Sequence, residues 1–115
     1  MGSSIIVRTQ FEGVHSWPKH KGFLAYPHRH LFKVSVEINV VDLDRQLEFF
    51  EVKHLIDTLI SATLLRGPAP DRYIDLPVTS CEAIAEALAR KLKEYDIIRI
   101  EVSEDGENSG VYYKD

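Results

Sequence analysis

The sequence contains a single cysteine, Cys81, so no disulfide can form within the chain. It also lacks a basic surplus, because 14 Lys and Arg stand against 18 Asp and Glu and leave a net charge of -4, which argues against a nucleic-acid partner. No apolar stretch approaches the roughly 20 residues of a membrane-spanning helix, and the opening residues lack the apolar core of a signal peptide. These absences predict a soluble, cytoplasmic protein that binds neither membranes nor nucleic acid.

Internal repeats, low-complexity segments and interdomain linkers are also missing. A chain of 115 residues with 44% hydrophobic content can bury one core of modest size. We therefore expect a single domain over residues 1–115.

Hydrophobic periodicity predicts four strands and two helices. Alternating β-branched and aromatic residues indicate the strands, which are 4–15, 27–41, 96–105 and 111–115. In the third of these, Ile98, Ile100, Val102 and Glu104 are expected on one face. The order ββααββ favours an α+β fold with one four-stranded antiparallel sheet and both helices on one of its faces.

The two predicted helices follow one another in the middle of the chain. Residues 48–65 have helical spacing of apolar side chains over about four turns. Thr79 and Glu82 fit a capping box ahead of the second helix, whose buried face is expected to contain Ile84, Leu88 and Leu92. The connector RGPAPDRYIDLP between the helices is predicted to be irregular.

Two histidines, His28 and His30, stand two residues apart at the start of the second strand and share one of its faces. His15 ends the first strand, so three imidazoles converge if the two strands are neighbours. Neutral imidazole suits zinc, and three protein ligands with an open fourth position are typical of a catalytic zinc site. A His-x-His pair on a strand also occurs as a solvent-facing or core-edge coincidence, so the spacing alone leaves both interpretations open.

Five segments spread along nearly the whole chain carry a family resemblance. They are, in order, FEGVH, PHRHLFKVSVEI, LEFFEVK, TSCEAIAEAL and IEVSEDG. In order and spacing they resemble the 6-pyruvoyl-tetrahydropterin synthase and 6-carboxytetrahydropterin synthase superfamily. The resemblance implies a tunnelling fold (T-fold), in which three subunits join their sheets into a ring and two rings usually stack. A homotrimer or homohexamer with active sites between subunits is therefore expected.

The resemblance also implies roles for individual residues. His15, His28 and His30 match the three zinc ligands of the family. Glu104 matches a late glutamate that binds the amino and ring nitrogens of a pterin, through two parallel N–H bonds to one carboxylate. Glu82 matches a helix-capping glutamate and lies near the pterin end of the site, so a substrate-binding role is open to it.

The sequence departs from the family at its proton-transfer residues. Leu24 stands where the family has its catalytic cysteine, and Leu64 and Leu65 align with its Asp-His pair. None of these three leucine side chains can donate or accept a proton. We therefore expect a metal site with a changed substrate or a changed reaction.

Several side chains are candidates for a replacement base, namely Glu12, Tyr26, Glu48, His54 and Cys81. Glu48 has the best claim as a catalytic residue, because the family places its matching aspartate near the substrate. Cys81 is in the first turn of the second helix, where the helix N-terminus would lower the thiol pKa. A lone cysteine is also commonly a small buried hydrophobe.

Two classes of function are consistent with these residues. The first is a zinc-dependent lyase or hydrolase that acts on a pterin or a related purine-derived heterocycle, by a reaction other than the ordinary synthase reaction. The second is a catalytically silent, oligomeric protein that binds a pterin-like or nucleotide-like ligand. The complete set of zinc ligands favours the first, and the missing proton-transfer residues favour the second.

Overall fold

The computed structural model describes residues 2–16, 22, 26–44, 47–67, 72–74 and 80–114. The strands in this part of the chain are β1 (Ser3–His15), β2 (His28–Val40), β3 (Leu65–Arg66), β4 (Tyr73–Ile74), β5 (Ile97–Glu104) and β6 (Asn108–Tyr113). The helices are α1 (Phe49–Leu59), which continues into a π-helical turn (Ile60–Leu64), and α2 (Cys81–Lys91). No helix among these residues is long and apolar enough to cross a membrane.

The strands form one mixed six-stranded sheet in the order β3-β4-β1-β2-β5-β6. Neighbouring strands are antiparallel except that β4 runs parallel to β1, where Tyr73 pairs with Val14. The predicted four-stranded antiparallel ββααββ sheet, and with it the T-fold, is therefore wrong. The two extra strands lie in and beside the connector predicted to be irregular, and strands of two residues are too short to produce an alternating pattern.

Arg72 holds this connector against the end of α1. Its guanidinium donates to the hydroxyl and carbonyl oxygens of Ser61, both at 2.8 Å, and to the carbonyl oxygens of Gly67 at 3.1 Å and Leu65 at 3.3 Å. The Arg72 carbonyl accepts a hydrogen bond of 2.9 Å from the backbone N–H of Val14 in β1. Arg72 thus ties the connector to the end of α1 through its side chain and to β1 through its backbone.

The longest pairing joins β1 and β2, which are 13 residues each and match from Ser3 opposite Val40 to His15 opposite His28. Side chains of β2 alternate between the core and the open face of the sheet, as predicted. The buried ones are Phe32, Val34, Val36, Ile38 and Val40. Because His28 and His30 continue the same alternation, both histidines lie on the core face.

Both helices pack on this core face. In α2 the predicted buried residues Ile84, Leu88 and Leu92 are each 0% exposed, which confirms the predicted face. The helix is capped by Ser80, whose hydroxyl accepts a hydrogen bond from the Ala83 N–H at 3.1 Å. The predicted capping residue, Thr79, lies outside the described residues.

The first helix is shorter than predicted, because regular α-helix ends at Leu59 and the π-helical turn follows. Val52, Ile56 and Ile60 form its buried face. The Thr9 hydroxyl on the core face of β1 donates to the Asp57 carboxylate, which ties the helix to the sheet. The π-helical turn then directs the chain into β3.

A β-bulge changes the face of one predicted core residue in β5. Glu37 pairs with Arg99 and Ile38 with Ile97, so Ile98 is the extra residue of the bulge. Ile98 is 37% exposed, whereas Ile97 is 3% exposed. The prediction that Ile98 shares a face with Ile100 is therefore wrong, because the bulge interrupts the alternation.

A tight turn connects β5 to β6. Asp105 and Gly106 both have positive φ angles, 57° and 76°, and the Glu107 N–H donates to the Glu104 carbonyl at 3.0 Å. The last strand begins immediately afterwards, at Asn108 rather than at the predicted residue 111. This turn places Glu104 and Asp105 beside the histidines of β2.

Gly110 in β6 is expected to be intolerant of a side chain. A Cβ atom there would lie 2.5 Å from the backbone nitrogen of Glu82, at the start of α2. Replacing Gly110 with Ala should lower the free energy of unfolding by about 1–3 kcal/mol, because the strand and the helix must separate. Urea denaturation measures the change.

Gly2 is the matched control, since a Cβ there meets only the Asn39 side-chain oxygen at 3.4 Å. Gly2→Ala should leave the free energy of unfolding nearly unchanged. Equal stability of both variants would contradict the close contact between β6 and α2.

Candidate metal centre

Three histidines meet at the end of the β1–β2 pair. His15 lies directly opposite His28, and His30 lies opposite Gly13, which has no side chain to occupy the intervening space. The predicted convergence of His15, His28 and His30 is thus present, and it follows from the register of the two strands. The three side chains are called the histidine trio below.

The donor atoms of the histidine trio lie within 4.8 Å of one another. Around a four-coordinate zinc ion with bonds of about 2.0 Å, donor atoms are separated by about 3.3 Å, a distance that lies inside this limit. Ring centroids are 4.5 Å apart for His15 and His28, 5.2 Å for His15 and His30, and 5.0 Å for His28 and His30. Three imidazole nitrogens are a donor set that zinc accepts readily, so these residues fit a zinc ion.

Two of the three rings are held through their Nδ1 atoms. His28 Nδ1 lies 2.9 Å from the carbonyl oxygen of Tyr26, and His30 Nδ1 lies 2.7 Å from Asp105 Oδ2. A carbonyl oxygen can only accept a hydrogen bond, so Nδ1 of His28 donates. The Nε2 atoms of both rings then remain to act as ligand atoms.

Asp105 was not predicted as a site residue. Its hydrogen bonds with the His30 ring and with the Leu31 N–H hold the pKa of its carboxyl group below the ordinary value. The sequence carries only an Asp-Gly pair at this position, which is typical of a turn. Contact with a ring on β2, 75 residues away in the chain, depends on the pairing of β5 with β2.

Glu104 borders the histidine trio. It lies opposite Phe32 in the β2–β5 pairing, so its side chain is on the core face, and 33% of it is exposed. Its Oε2 atom is 3.2 Å from His15 Nε2 and 3.8 Å from His30 Nε2. The structure therefore brings this predicted substrate-binding residue next to the predicted metal ligands.

A pocket of about 570 Å³ opens beside the trio. Its wall includes His15, His28 and Glu104 on one side, and the first residues of α2 with β6 on the other. The α2 side contributes Ser80, Cys81 and Glu82, and β6 contributes Asn108, Ser109 and Gly110. Glu82, the second predicted substrate-binding residue, thus lies in the same pocket as Glu104.

Cys81 is a protonated thiol in this pocket. Burial, followed by the negative charges of Glu104 and Glu82, raises its pKa to about 12, although a hydrogen bond with the Gly110 backbone partly offsets the increase. The expectation that the helix N-terminus lowers the thiol pKa is wrong, because loss of hydration outweighs the helix dipole at a residue that is 8% exposed. Its interpretation as a small buried hydrophobe fits the structure.

Glu48, the predicted replacement base, lies far from the trio within the chain. Its carboxylate accepts a hydrogen bond of 3.0 Å from the Phe50 N–H and caps α1. It borders a second pocket, with Ser3 and Val40, at the opposite end of the β1–β2 pair. Thirteen paired residues separate the two ends by about 40 Å, so Glu48 of one chain cannot act at the trio of the same chain.

The other candidate bases also lie apart from the pocket. Glu12 is on the open face of the sheet, where it pairs with Arg29 at 3.3 Å. Tyr26 is 71% exposed, and its carbonyl oxygen contacts His28 Nδ1. His54 is an exposed residue of α1. Leu24 lies outside the described residues.

The positions aligned with the missing Asp-His pair are apolar and packed. Leu64 is 2% exposed and belongs to the core. A Cβ atom on Gly13, opposite His30, would lie 3.1 Å from the Ile74 side chain and 3.5 Å from that of Leu65. Leu65 and Ile74 thus pack against β1 near Gly13, opposite His30. Neither side chain can transfer a proton, and the same is true of Leu64.

Comparison with known proteins supports the fold and leaves the chemistry unassigned. No protein-family model matches the sequence, and no curated protein matches it. The crystal structure of an uncharacterized protein from Wolinella succinogenes is similar over 100% of this chain and 99% of its own, with a TM-score of 0.70 and 14% sequence identity. At that identity, the likeness concerns the fold.

The raised pKa of Cys81 has a measurable consequence. Because a group with a pKa near 12 is almost entirely protonated at pH 7 to 9, the native thiol should react with iodoacetamide far more slowly than a free cysteine, whose pKa is about 8.5. Mass spectrometry of alkylated protein, with the urea-unfolded chain as control, measures both rates. Rapid alkylation of the native protein at pH 7 would show that the thiol is ionised.

Proposed function

We propose that the protein binds zinc through His15, His28 and His30 and is a zinc-dependent lyase or hydrolase acting on a pterin or a related purine-derived heterocycle. The observation that carries the proposal is the convergence of three imidazole donors within 4.8 Å at the wall of a pocket that also contains Glu104. A structural zinc normally has four protein ligands, and the described residues supply three clustered donors. A catalytic ion, which keeps one position for substrate, fits this set.

Zinc bound there would supply Lewis acidity, which polarises a hydroxyl or carbonyl oxygen of the substrate. The strand pairing fixes the relative positions of the three histidines, because His28 and His30 lie on one strand and His15 lies directly opposite His28 on its neighbour. His28 Nδ1 is hydrogen-bonded to the Tyr26 carbonyl oxygen, and His30 Nδ1 is hydrogen-bonded to the Asp105 carboxylate. These two contacts restrict rotation of both rings. Little side-chain conformational entropy is therefore lost when the ion binds.

Glu104 and Glu82 are proposed to bind the heterocycle. An aminopyrimidinone edge presents two parallel N–H donors, which one carboxylate accepts together. The pocket volume of about 570 Å³ is ample for a bicyclic ring with a short side chain. Ser80 borders the same pocket, and its hydroxyl can donate a hydrogen bond to a polar group on that side chain.

Proton transfer sets this protein apart from the family it resembles. Glu104 and Asp105 are carboxylates adjacent to the trio, whereas Glu48 is at the other end of the strand pair. We therefore propose a reaction other than formation of 6-pyruvoyl- or 6-carboxytetrahydropterin, since moving protons between side-chain carbons requires a base near each one.

A second candidate is a catalytically silent protein that binds a pterin-like or nucleotide-like ligand. Leu64 and Leu65 favour it, because the resemblance aligns them with the acid–base pair of the family and neither side chain can transfer a proton. Assembly into a trimer or hexamer and a cytoplasmic location remain predictions from the sequence.

Zinc content tests the metal centre. Protein prepared without added metal and then dialysed against zinc should retain about one ion per chain, and His28→Ala should lose it because only two donors remain. His54→Ala is the matched control, since it removes an exposed imidazole of α1. Mass-spectrometric metal analysis gives the stoichiometry, and zinc retention by the His28 variant equal to that of the control would contradict the assignment.

Ligand binding tests the role of Glu104. Pterin, dihydroneopterin triphosphate and guanosine monophosphate are suitable probes for calorimetry with the zinc-loaded protein. If the carboxylate binds the heterocycle, Glu104→Gln should weaken binding of the preferred probe about 10- to 100-fold, the equivalent of about 1.5–3 kcal/mol for a charge-assisted hydrogen bond.

Glu107→Gln is the control, because Glu107 is an exposed carboxylate three residues away in the same turn. Chromatography of the same mixtures detects turnover. Unchanged affinity with lost turnover in the Glu104 variant would assign proton transfer, and not binding, to this residue. Binding without turnover in the wild-type protein would favour the silent candidate.

A further inference from the structure

Asp105 makes three contacts with the strand that carries two of the proposed ligands. Its Oδ2 atom lies 2.7 Å from His30 Nδ1, and its Oδ1 atom accepts a hydrogen bond of 2.9 Å from the Leu31 N–H. Its own N–H donates to the Leu31 carbonyl oxygen at 2.7 Å. Backbone and carboxylate are therefore both fixed relative to His30.

The turn holds Asp105 in a backbone conformation that most residues avoid. Its φ angle is 57°, in the left-handed region that asparagine, aspartate and glycine tolerate best. Asparagine would satisfy the turn and the Leu31 N–H equally well, because its side-chain oxygen also accepts. Only the contact with His30 requires both carboxylate oxygens to be acceptors.

We propose that Asp105 is a positioning residue for the metal centre, which keeps the proton of His30 on Nδ1 and thereby directs Nε2 to the ion. An ionised carboxylate can only accept a hydrogen bond, so the ring nitrogen facing it must donate. A neutral imidazole with its proton on Nδ1 has its lone pair on Nε2. This inference rests on the proposed zinc site.

The neighbouring ligand supports the same assignment. His28 Nδ1 faces the Tyr26 carbonyl oxygen, which is also an obligate acceptor. Two adjacent ligands of β2 thus have their Nδ1 atoms facing acceptors, one from the backbone and one from Asp105. Partners of this kind typically change metal affinity by 10- to 100-fold when they are removed.

Asp105→Asn tests the role with little change in shape. The variant keeps the turn preference and the bond to the Leu31 N–H, but it presents an NH₂ group to His30 Nδ1. That group can only donate, so the His30 proton should move to Nε2, the atom needed by zinc. Zinc affinity should fall about 10- to 100-fold.

The tautomer is measured on metal-free protein by ¹⁵N NMR of the imidazoles at about pH 8.5. We expect the His30 proton on Nδ1 in the wild-type protein and on Nε2 in the Asp105→Asn variant, with His28 unchanged. Zinc affinity is measured by competition with a chromogenic chelator. A purely structural role for Asp105 would not move the proton between ring nitrogens.

Two further variants complete the test. Asp44→Asn removes one negative charge from an exposed turn away from the site and should change neither the tautomer nor the zinc affinity. Asp105→Gly tolerates the positive φ angle and deletes the carboxylate, so the tautomer preference of His30 should disappear in this variant. It therefore provides a test that does not depend on the folding of the asparagine variant.

The outcomes separate this inference from the metal site on which it rests. Absence of zinc binding by the wild-type protein would refute the metal centre and, with it, the role of Asp105 there. Zinc binding by the wild-type protein with unchanged affinity in both Asp105 variants would refute the inference alone. A His30 proton on Nε2 in the wild-type protein would also overturn it.

Discussion

The antiparallel pairing of β1 with β2 is the constraint on which the site depends. In its register His15 lies opposite His28 and Gly13 opposite His30, so the three imidazoles share the core face at one end of the sheet. A shift of one residue would turn His15 to the other face while the core residues of β1 lost their burial. The hydrophobic alternation that stabilises the sheet thus also fixes the geometry of the histidine trio.

The second contribution comes from the β5–β6 hairpin, which places two carboxylates beside the imidazoles. Glu104 approaches His15 and His30 through Nε2, whereas Asp105 approaches His30 through Nδ1. Negative charge here favours a cation between the rings, and the same charge helps to keep the nearby Cys81 thiol protonated. The Cys81 thiol is therefore poorly suited to act as a nucleophile.

Much of the secondary structure could be predicted from the sequence, because β1, β2 and α2 have clear hydrophobic periods. The faces of Phe32, Val34 and Leu88 follow directly from those periods. Two features escaped prediction for identifiable reasons. The bulge at Ile98 interrupts an otherwise regular alternation, and β3 and β4 are held by Arg72 through contacts with carbonyl oxygens that have no sequence pattern.

What the sequence determined by itself is the set of possible ligands and their common face, since alternation along a strand places His28 and His30 together whatever surrounds them. Tertiary structure decided which carboxylates join them. Glu48 and Glu104 are equally plausible as isolated residues, yet the length of the β1–β2 pair carries one to the far end of the sheet, and the β2–β5 pairing brings the other to within 3.2 Å of His15. Asp105 reaches His30 only because a left-handed turn follows Glu104, a contact between residues 75 positions apart that no local pattern encodes.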